Sequence, residues 1–317
     1  MPRTTPPTSS APPPVSAGGA SHRLEFPAAG YGNPDPEWMR IDWQRHFQRV
    51  ELAGAEVGYI ELGSGPPVVL VHGLSGCWQN WLETIPHLAR SHRVVALDLP
   101  GFGTSPMPGW DTTVPAYGRL LRDFCERLGV TRAPLIGSSL GGFIATEVAI
   151  AEAERVSKLV LVSAAGVTFA RMRREPAKVV GRMGVAAAPL LFRFRREGIR
   201  RGRLRRLAFQ GIFHYPNRLR AELLWEVTVP ALQAPGFLPA LENLVGYDIR
   251  DRLAEIEDPT LIVWGRNDRV VPVAAAHSYE KRIGPNARKV ILDRTGHLPM
   301  LERPARFNAL LDEFLAE

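Results

Sequence analysis

The sequence predicts an α/β protein: a mostly parallel sheet with helices on both faces and a helical unit inserted between two of its strands. Three observations carry this. Continuous Val, Ile and Leu runs at Val68-Val69-Leu70-Val71, at 159–162 and at 261–264 are too apolar for half-exposed strands, and helical patterns separate them. The stretch Ile136-Gly137-Ser138-Ser139-Leu140-Gly141-Gly142 reads as the end of a strand, a sharp turn carrying a serine, and the start of a helix. Residues 167–255 break the strand-helix rhythm and are too long for an ordinary loop. A chain of 317 residues, 45% hydrophobic, can bury one sizeable core with such an insertion.

In chain order, residues 1–34 are rich in Pro, Ser, Thr, Ala and Gly without apolar periodicity, and are expected to be a disordered leader. No continuous apolar stretch follows Arg3, so the leader does not read as a secretory signal. A short helix is expected over 37–46, then a hairpin of strands 47–52 and 56–61 turning at Ala53-Gly54. The strand 68–71 runs into His72-Gly73-Leu74-Ser75-Gly76, a loop at a buried strand end. A helix over 78–90, a strand over 93–97 and a helix over about 114–128 lead to the serine turn. Beyond the insertion come strands at 261–264 and 289–292, with helices over 273–283 and 304–315. The core is thus expected to span 35–166 and 256–317, with a helical cap over 167–255.

Composition narrows the function classes. Cys77 and Cys125 form neither a disulfide framework nor a metal-ligand spacing with histidines, so no metal is expected and a reducing, cytoplasmic setting fits. No stretch has the ~20 apolar residues of a membrane span. The net charge of +7 is localised: residues 167–255 hold 17 Lys and Arg against 8 Asp and Glu. The densest part, 193–206, interleaves arginines with Phe194, Ile199 and Leu204. It reads as a solvated helix face in an arginine-rich chain, in preference to an anionic-membrane contact or a surface that attracts acidic substrates. Without a nucleic-acid module, no nucleic-acid partner is expected.

The chemistry starts at the turn. A nucleophile at its apex sits on strained backbone, so the residues two before and two after must be small. Gly137 and Gly141 satisfy this for Ser139, whereas Ser138 would put Ile136 and Leu140 at the crowded positions. A serine hydroxyl needs a histidine base, oriented in turn by a carboxylate. Trp264-Gly265-Arg266-Asn267-Asp268 places Asp268 just beyond one strand, and Thr295-Gly296-His297 places His297 just beyond the last. All three groups converge on the C-terminal edge of the sheet, where open α/β sheets put their sites. Asp293 is the rival carboxylate, but it ends its own strand. His72 and Asp98 read as structural; His214, Tyr215 and Trp225 either line a pocket or pack in the core.

On these residues the chain resembles α/β-hydrolase-fold serine hydrolases over roughly residues 47–317. Four separated features carry the resemblance: His72-Gly73, the Ser139 elbow, the strand-end loop with Asp268, and Gly296-His297. The order Ser139, Asp268, His297 is that superfamily's order of nucleophile, acid and histidine. The resemblance implies an eight-stranded, mostly parallel sheet and an oxyanion hole from the backbone N–H groups of Leu74 and Leu140. Such a donor is worth about 3 to 4 kcal/mol in the transition state. His72, Gly73, Gly137 and Gly141 would support that loop and elbow.

The implied reaction is hydrolysis of a small-molecule carboxylic ester through an acyl-enzyme, with no organic cofactor. Phe192, Phe194, Phe209, Phe213 and Leu223 are offered by the cap as an apolar lining. The loop lacks the HGGG form, which argues against very bulky tertiary-alcohol esters. C–C bond hydrolases acting on vinylogous diketone acids share the elbow, and the cap arginines could hold such a substrate's carboxylate, but these enzymes often carry tryptophan after the histidine, where this chain has Leu298. Epoxide hydrolases and haloalkane dehalogenases carry aspartate where Ser139 stands. A perhydrolase side activity and a non-enzymatic ligand sensor on the same fold are the further alternatives.

Overall fold

The computed structural model describes residues 30–169 and 188–317. Eight strands form one sheet: β1 (Phe47–Leu52), β2 (Ala55–Leu62), β3 (Pro67–Val71), β4 (Arg93–Leu97), β5 (Ala133–Ser138), β6 (Val156–Val162), β7 (Thr260–Gly265) and β8 (Ala287–Leu292). Their spatial order is β1-β2-β4-β3-β5-β6-β7-β8. β2 pairs antiparallel with both β1 and β4, and every other pairing is parallel.

The helices are α1 (Ile85–Leu88), α2 (Val114–Arg127), α3 (Leu140–Ala151), α4 (Ala188–Arg200), α5 (Gly202–Phe209), α6 (Ala221–Thr228), α7 (Phe237–Leu244), α8 (Ala274–Ile283), α9 (Pro299–Glu302) and α10 (Pro304–Ala316). The continuous apolar runs are explained by burial on both faces. Along β3, Val69 and Val71 join one apolar cluster with Phe124 of α2 and Phe143 of α3. Val68 and Leu70 join the opposite cluster with Trp81, Phe307 and Phe314. The period of two in a pleated strand therefore feeds two cores at once. α4 to α7 lie between β6 and β7, where the chain leaves the sheet and returns.

The N-terminal region differs from expectation in three places. The expected helix over 37–46 is two short 3-10 turns, Glu37–Arg40 and Trp43–Arg45. Trp38 donates its indole N–H to Glu83 at 2.9 Å, and Trp43 donates to the Trp38 carbonyl at 2.9 Å; tertiary anchoring of the two indoles overrides helical propensity. The expected helix over 78–90 is a 3-10 turn at Trp78–Trp81 followed by α1, because Pro86 starts a new helix. Within the expected leader, residues 30–34 join the fold: Tyr31 is buried and donates its hydroxyl to Glu302 Oε2 at 2.5 Å. The rest of the leader, 1–29, lies outside the described residues.

The elbow tolerates no added carbon. A Cβ on Gly141 would lie 2.2 Å from the Val71 carbonyl oxygen, and one on Gly137 would lie 2.4 Å from the Gly141 oxygen. Both obstacles are backbone in the centre of the sheet. Gly141→Ala is therefore expected to destabilise the fold by about 3 kcal/mol or more, read as a lowered urea midpoint at unchanged slope.

Candidate active site

Ser139 sits between β5 and α3 with φ 52° and ψ −114°, a conformation that side chains disfavour. Three backbone bonds hold it there. Its N–H donates to the Val162 carbonyl at 2.9 Å, and its carbonyl accepts from the N–H groups of Phe143 and Ala165, each at 3.1 Å. The strain is thus fixed by the adjoining strand and helix, and the hydroxyl is left for the cavity that Ser139 lines.

His297 and Asp268 meet as a buried pair. His297 Nδ1 lies 2.8 Å from Asp268 Oδ2, while Asp268 Oδ1 accepts from the N–H groups of Val270 at 2.8 Å and Val271 at 2.9 Å. An ionised carboxylate only accepts, so Nδ1 carries the proton. Nε2 is then the basic nitrogen. His297 lines the same cavity as Ser139. Its backbone N–H donates to the Ile212 carbonyl at 2.7 Å, tying the histidine loop to the insertion. The rival Asp293 is exposed and pairs with Arg266, which holds its carboxyl below the usual range.

The His72-Gly73 loop is rigid for visible reasons. The Leu99 N–H donates to His72 Nε2 at 2.9 Å, so Nδ1–H donates to the Gly73 carbonyl at 2.7 Å. Burial lowers the His72 pKa to about 4, which keeps the ring neutral and structural. The Gly76 N–H donates to the same Gly73 carbonyl at 2.9 Å. A Cβ on Gly73 would stand 2.8 Å from Ser139 Cβ, so only glycine allows this approach. Leu74 lines the cavity, and Leu140 opens α3, whose first N–H groups have no intrahelical acceptor. Asp98 is structural too: buried, it accepts from the N–H groups of Trp78 at 2.7 Å and Thr104 at 2.8 Å.

The cavity has a volume of about 430 Å³. Its walls are mainly apolar, with Phe209, Ile212, Phe213, Val227, Phe237 and Leu241 contributed by the insertion. Two residues offered as lining stand elsewhere. Phe194 is 38% exposed, because it faces out of α4, and Leu223 is packed into an apolar cluster with Phe209 and Phe213. The Phe192 side chain lies outside the described residues. His214 and Tyr215 do not line the cavity; their rings pack edge-on at 4.2 Å, and Tyr215 meets Tyr31 at 5.5 Å. Trp225 packs against the apolar cluster. Cys77 and Cys125 are buried thiols, and no group of metal-ligating side chains forms among the described residues.

Three residues around the site escaped sequence reasoning. Asn80 lines the cavity beside the Gly73 loop. Arg195 lines the cavity from within the arginine-rich stretch, where the sequence pattern favours a solvated face and singles out no one arginine as a carboxylate holder. Glu302 is fully buried and binds three segments, two of them distant in sequence. It accepts from the Gly296 N–H at 2.8 Å, the His214 N–H at 2.8 Å and the Tyr31 hydroxyl.

Burial pushes the Glu302 carboxyl up to about 7, against its hydrogen bonds. Between the ordinary carboxylate value of about 4.3 and about 7, the folded chain keeps a proton that the unfolded chain releases. This contribution to stability is complete below the lower value and is lost as pH rises through the upper one. Glu302→Gln cannot titrate there, so the melting-temperature advantage of the native protein over this variant is expected to narrow between about pH 5 and about pH 7.

Residues 66–304 match the family model of the alpha/beta hydrolase fold. The chain belongs to this family and is an α/β-hydrolase-fold enzyme. It is 30% identical over 260 residues to the pimeloyl-[acyl-carrier protein] methyl ester esterase of Aeromonas hydrophila, covering 80% of this chain and 96% of the relative. It is 32% identical over 292 residues to the 2-hydroxy-6-oxo-2,4-heptadienoate hydrolase of Pseudomonas putida, covering 84% and 96%. Among solved structures, a bacterial membrane phospholipase A superposes with a TM-score of 0.68 at 30% identity, covering 85% of each chain.

Proposed function

We propose that this enzyme is a serine hydrolase that cleaves carboxylic esters of modest size through an acyl-enzyme. The observation that carries the reading is His297, bonded to the buried Asp268 behind it and lining one mainly apolar cavity with the strained Ser139. In the first step His297 Nε2 takes the Ser139 proton as Oγ attacks the ester carbonyl. The oxyanion is received by the N–H groups of Leu74 and Leu140. The imidazolium that forms faces Asp268, whose other oxygen is already held by two backbone donors. His297 then protonates the departing alcohol, and water attacks the acyl-enzyme by the reverse proton path.

Support for esters comes from the esterase among the relatives and from a cavity whose aromatic and aliphatic walls suit an acyl chain. The C–C bond reading has its own support in the 2-hydroxy-6-oxo-2,4-heptadienoate hydrolase. A p-nitrophenyl ester series from acetate to palmitate, run beside a vinylogous diketone acid, separates the two. A maximum in kcat/KM at one short or medium chain length supports the ester reading. Turnover of the diketone acid alone would overturn it.

A further inference from the structure

We propose that Arg195 is an anion anchor in the substrate cavity, and that the ester cleaved at Ser139 is a half-ester of a dicarboxylic acid whose free carboxylate the Arg195 guanidinium holds. The inference rests on the serine esterase reading and names the substrate class for that site.

Arg195 differs from the arginines around it. Arg193, Arg196 and Arg200 on the same helix are exposed, whereas Arg195 is partly buried and lines the cavity. Arg205, on the next helix and also partly buried, donates to the carbonyls of Ile199 at 2.6 Å and Leu219 at 3.1 Å, a structural use of a guanidinium. Arg195 instead rests over the Phe209 ring at 5.9 Å, and among the described residues it has no carboxylate or carbonyl acceptor. Among the described residues no Asp or Glu lines the cavity. Burial pulls the Arg195 pKa down, and among the described residues no acid opposes it.

A cation drawn out of water without a partner is costly, and a ligand that brings the counter-charge recovers that cost on binding. The guanidinium presents a planar fork that matches a carboxylate in two parallel hydrogen bonds. The remaining wall is mainly apolar, with Ser75, Asn80 and Thr228 as polar members, and suits a methylene chain between carboxylate and ester carbonyl. The described residues therefore offer the cavity a cationic point at Arg195, a mainly apolar path and a nucleophile at Ser139.

The test compares p-nitrophenyl hydrogen esters of dicarboxylic acids, succinate through sebacate, with their methyl p-nitrophenyl diesters. The readout is the kcat/KM ratio of half-ester to diester at each length. In the native enzyme the ratio is expected to exceed one at a preferred length. Arg195→Gln should lower it by about 10- to 100-fold, mainly through KM. Arg195→Lys, which keeps charge but not the fork, should retain part of the preference. A ratio unchanged in Arg195→Gln, or no preference in the native enzyme, would overturn the anchor.

Calorimetric titration of Ser139→Ala with each half-ester of the series reads the anchor apart from turnover. Where native ester hydrolysis is absent, the esterase reading and the half-ester substrate fail together, and binding weakened by adding Arg195→Gln still supports the anion anchor. Binding unaffected by that second substitution counts against it. Should Arg195→Gln fail to fold, inhibition of the native enzyme by a dicarboxylate more strongly than by its monomethyl ester supports the anchor, and equal inhibition overturns it.

Discussion

Replacing Ser139 by alanine is expected to lower kcat for ester hydrolysis by about 10⁴- to 10⁶-fold while leaving the melting temperature essentially unchanged. The size of the loss follows from the role. Without Oγ no acyl-enzyme forms, and residual turnover comes from water positioned by the oxyanion donors and the cavity. The structural silence follows from the surroundings. The backbone bonds to Val162, Phe143 and Ala165 hold residue 139, and none of them uses the side chain. Alanine keeps the Cβ that Gly73 approaches, so the packing there persists. Steady-state kinetics with thermal melts checks both halves. Turnover within tenfold of native would remove Ser139 from the mechanism.

Asp268→Asn should cost about 10⁴-fold in kcat, for a reason that the hydrogen bonds at this site determine. Asp268 Oδ1 accepts from two backbone N–H groups, at Val270 and Val271. An asparagine must give its carbonyl oxygen to those donors, which turns its NH₂ toward His297 Nδ1. That nitrogen must then accept, so the proton moves to Nε2 and the base faces Ser139 with its wrong side. Geometry is kept and chemistry is lost. The loss should shrink at high pH no further than the spontaneous ester reaction allows, and the variant should melt close to native because no buried group is left unpaired. A loss below tenfold would show that Asp268 does not set the tautomer.

Much of the fold was legible because its signals are local. Buried parallel strands must be continuously apolar, and 68–71, 93–97, 159–162 and 261–264 coincide with β3, β4 and parts of β6 and β7. The elbow was legible because backbone collisions at positions 137 and 141 restrict both to glycine. Asp268 and His297 were legible as loop residues just past strand ends, where the sheet brings them together. The illegible part is set by contacts between segments far apart in sequence. Tyr31 looked like the tail of a disordered stretch because its carboxylate partner lies 271 residues away. Arg195 looked like its neighbours because helical periodicity gives a face only by average. Its inward turn depends on how α4 meets Phe209 of α5. Phe194, one residue earlier, was misplaced for the same reason.

The Glu302 carboxylate has a consequence for how this architecture can be re-engineered. It clasps the backbone beside His297, the backbone at His214 and the Tyr31 ring, while Ile212 accepts directly from His297. The insertion is therefore not a detachable module laid over a finished catalytic base. In a chimera that exchanges this region for a relative's, the graft would inherit responsibility for the posture of the histidine loop. Residues 212–214 and the segment around Tyr31 should travel with Glu302 as one transplant unit. A swap cut between them would alter chemistry as well as specificity.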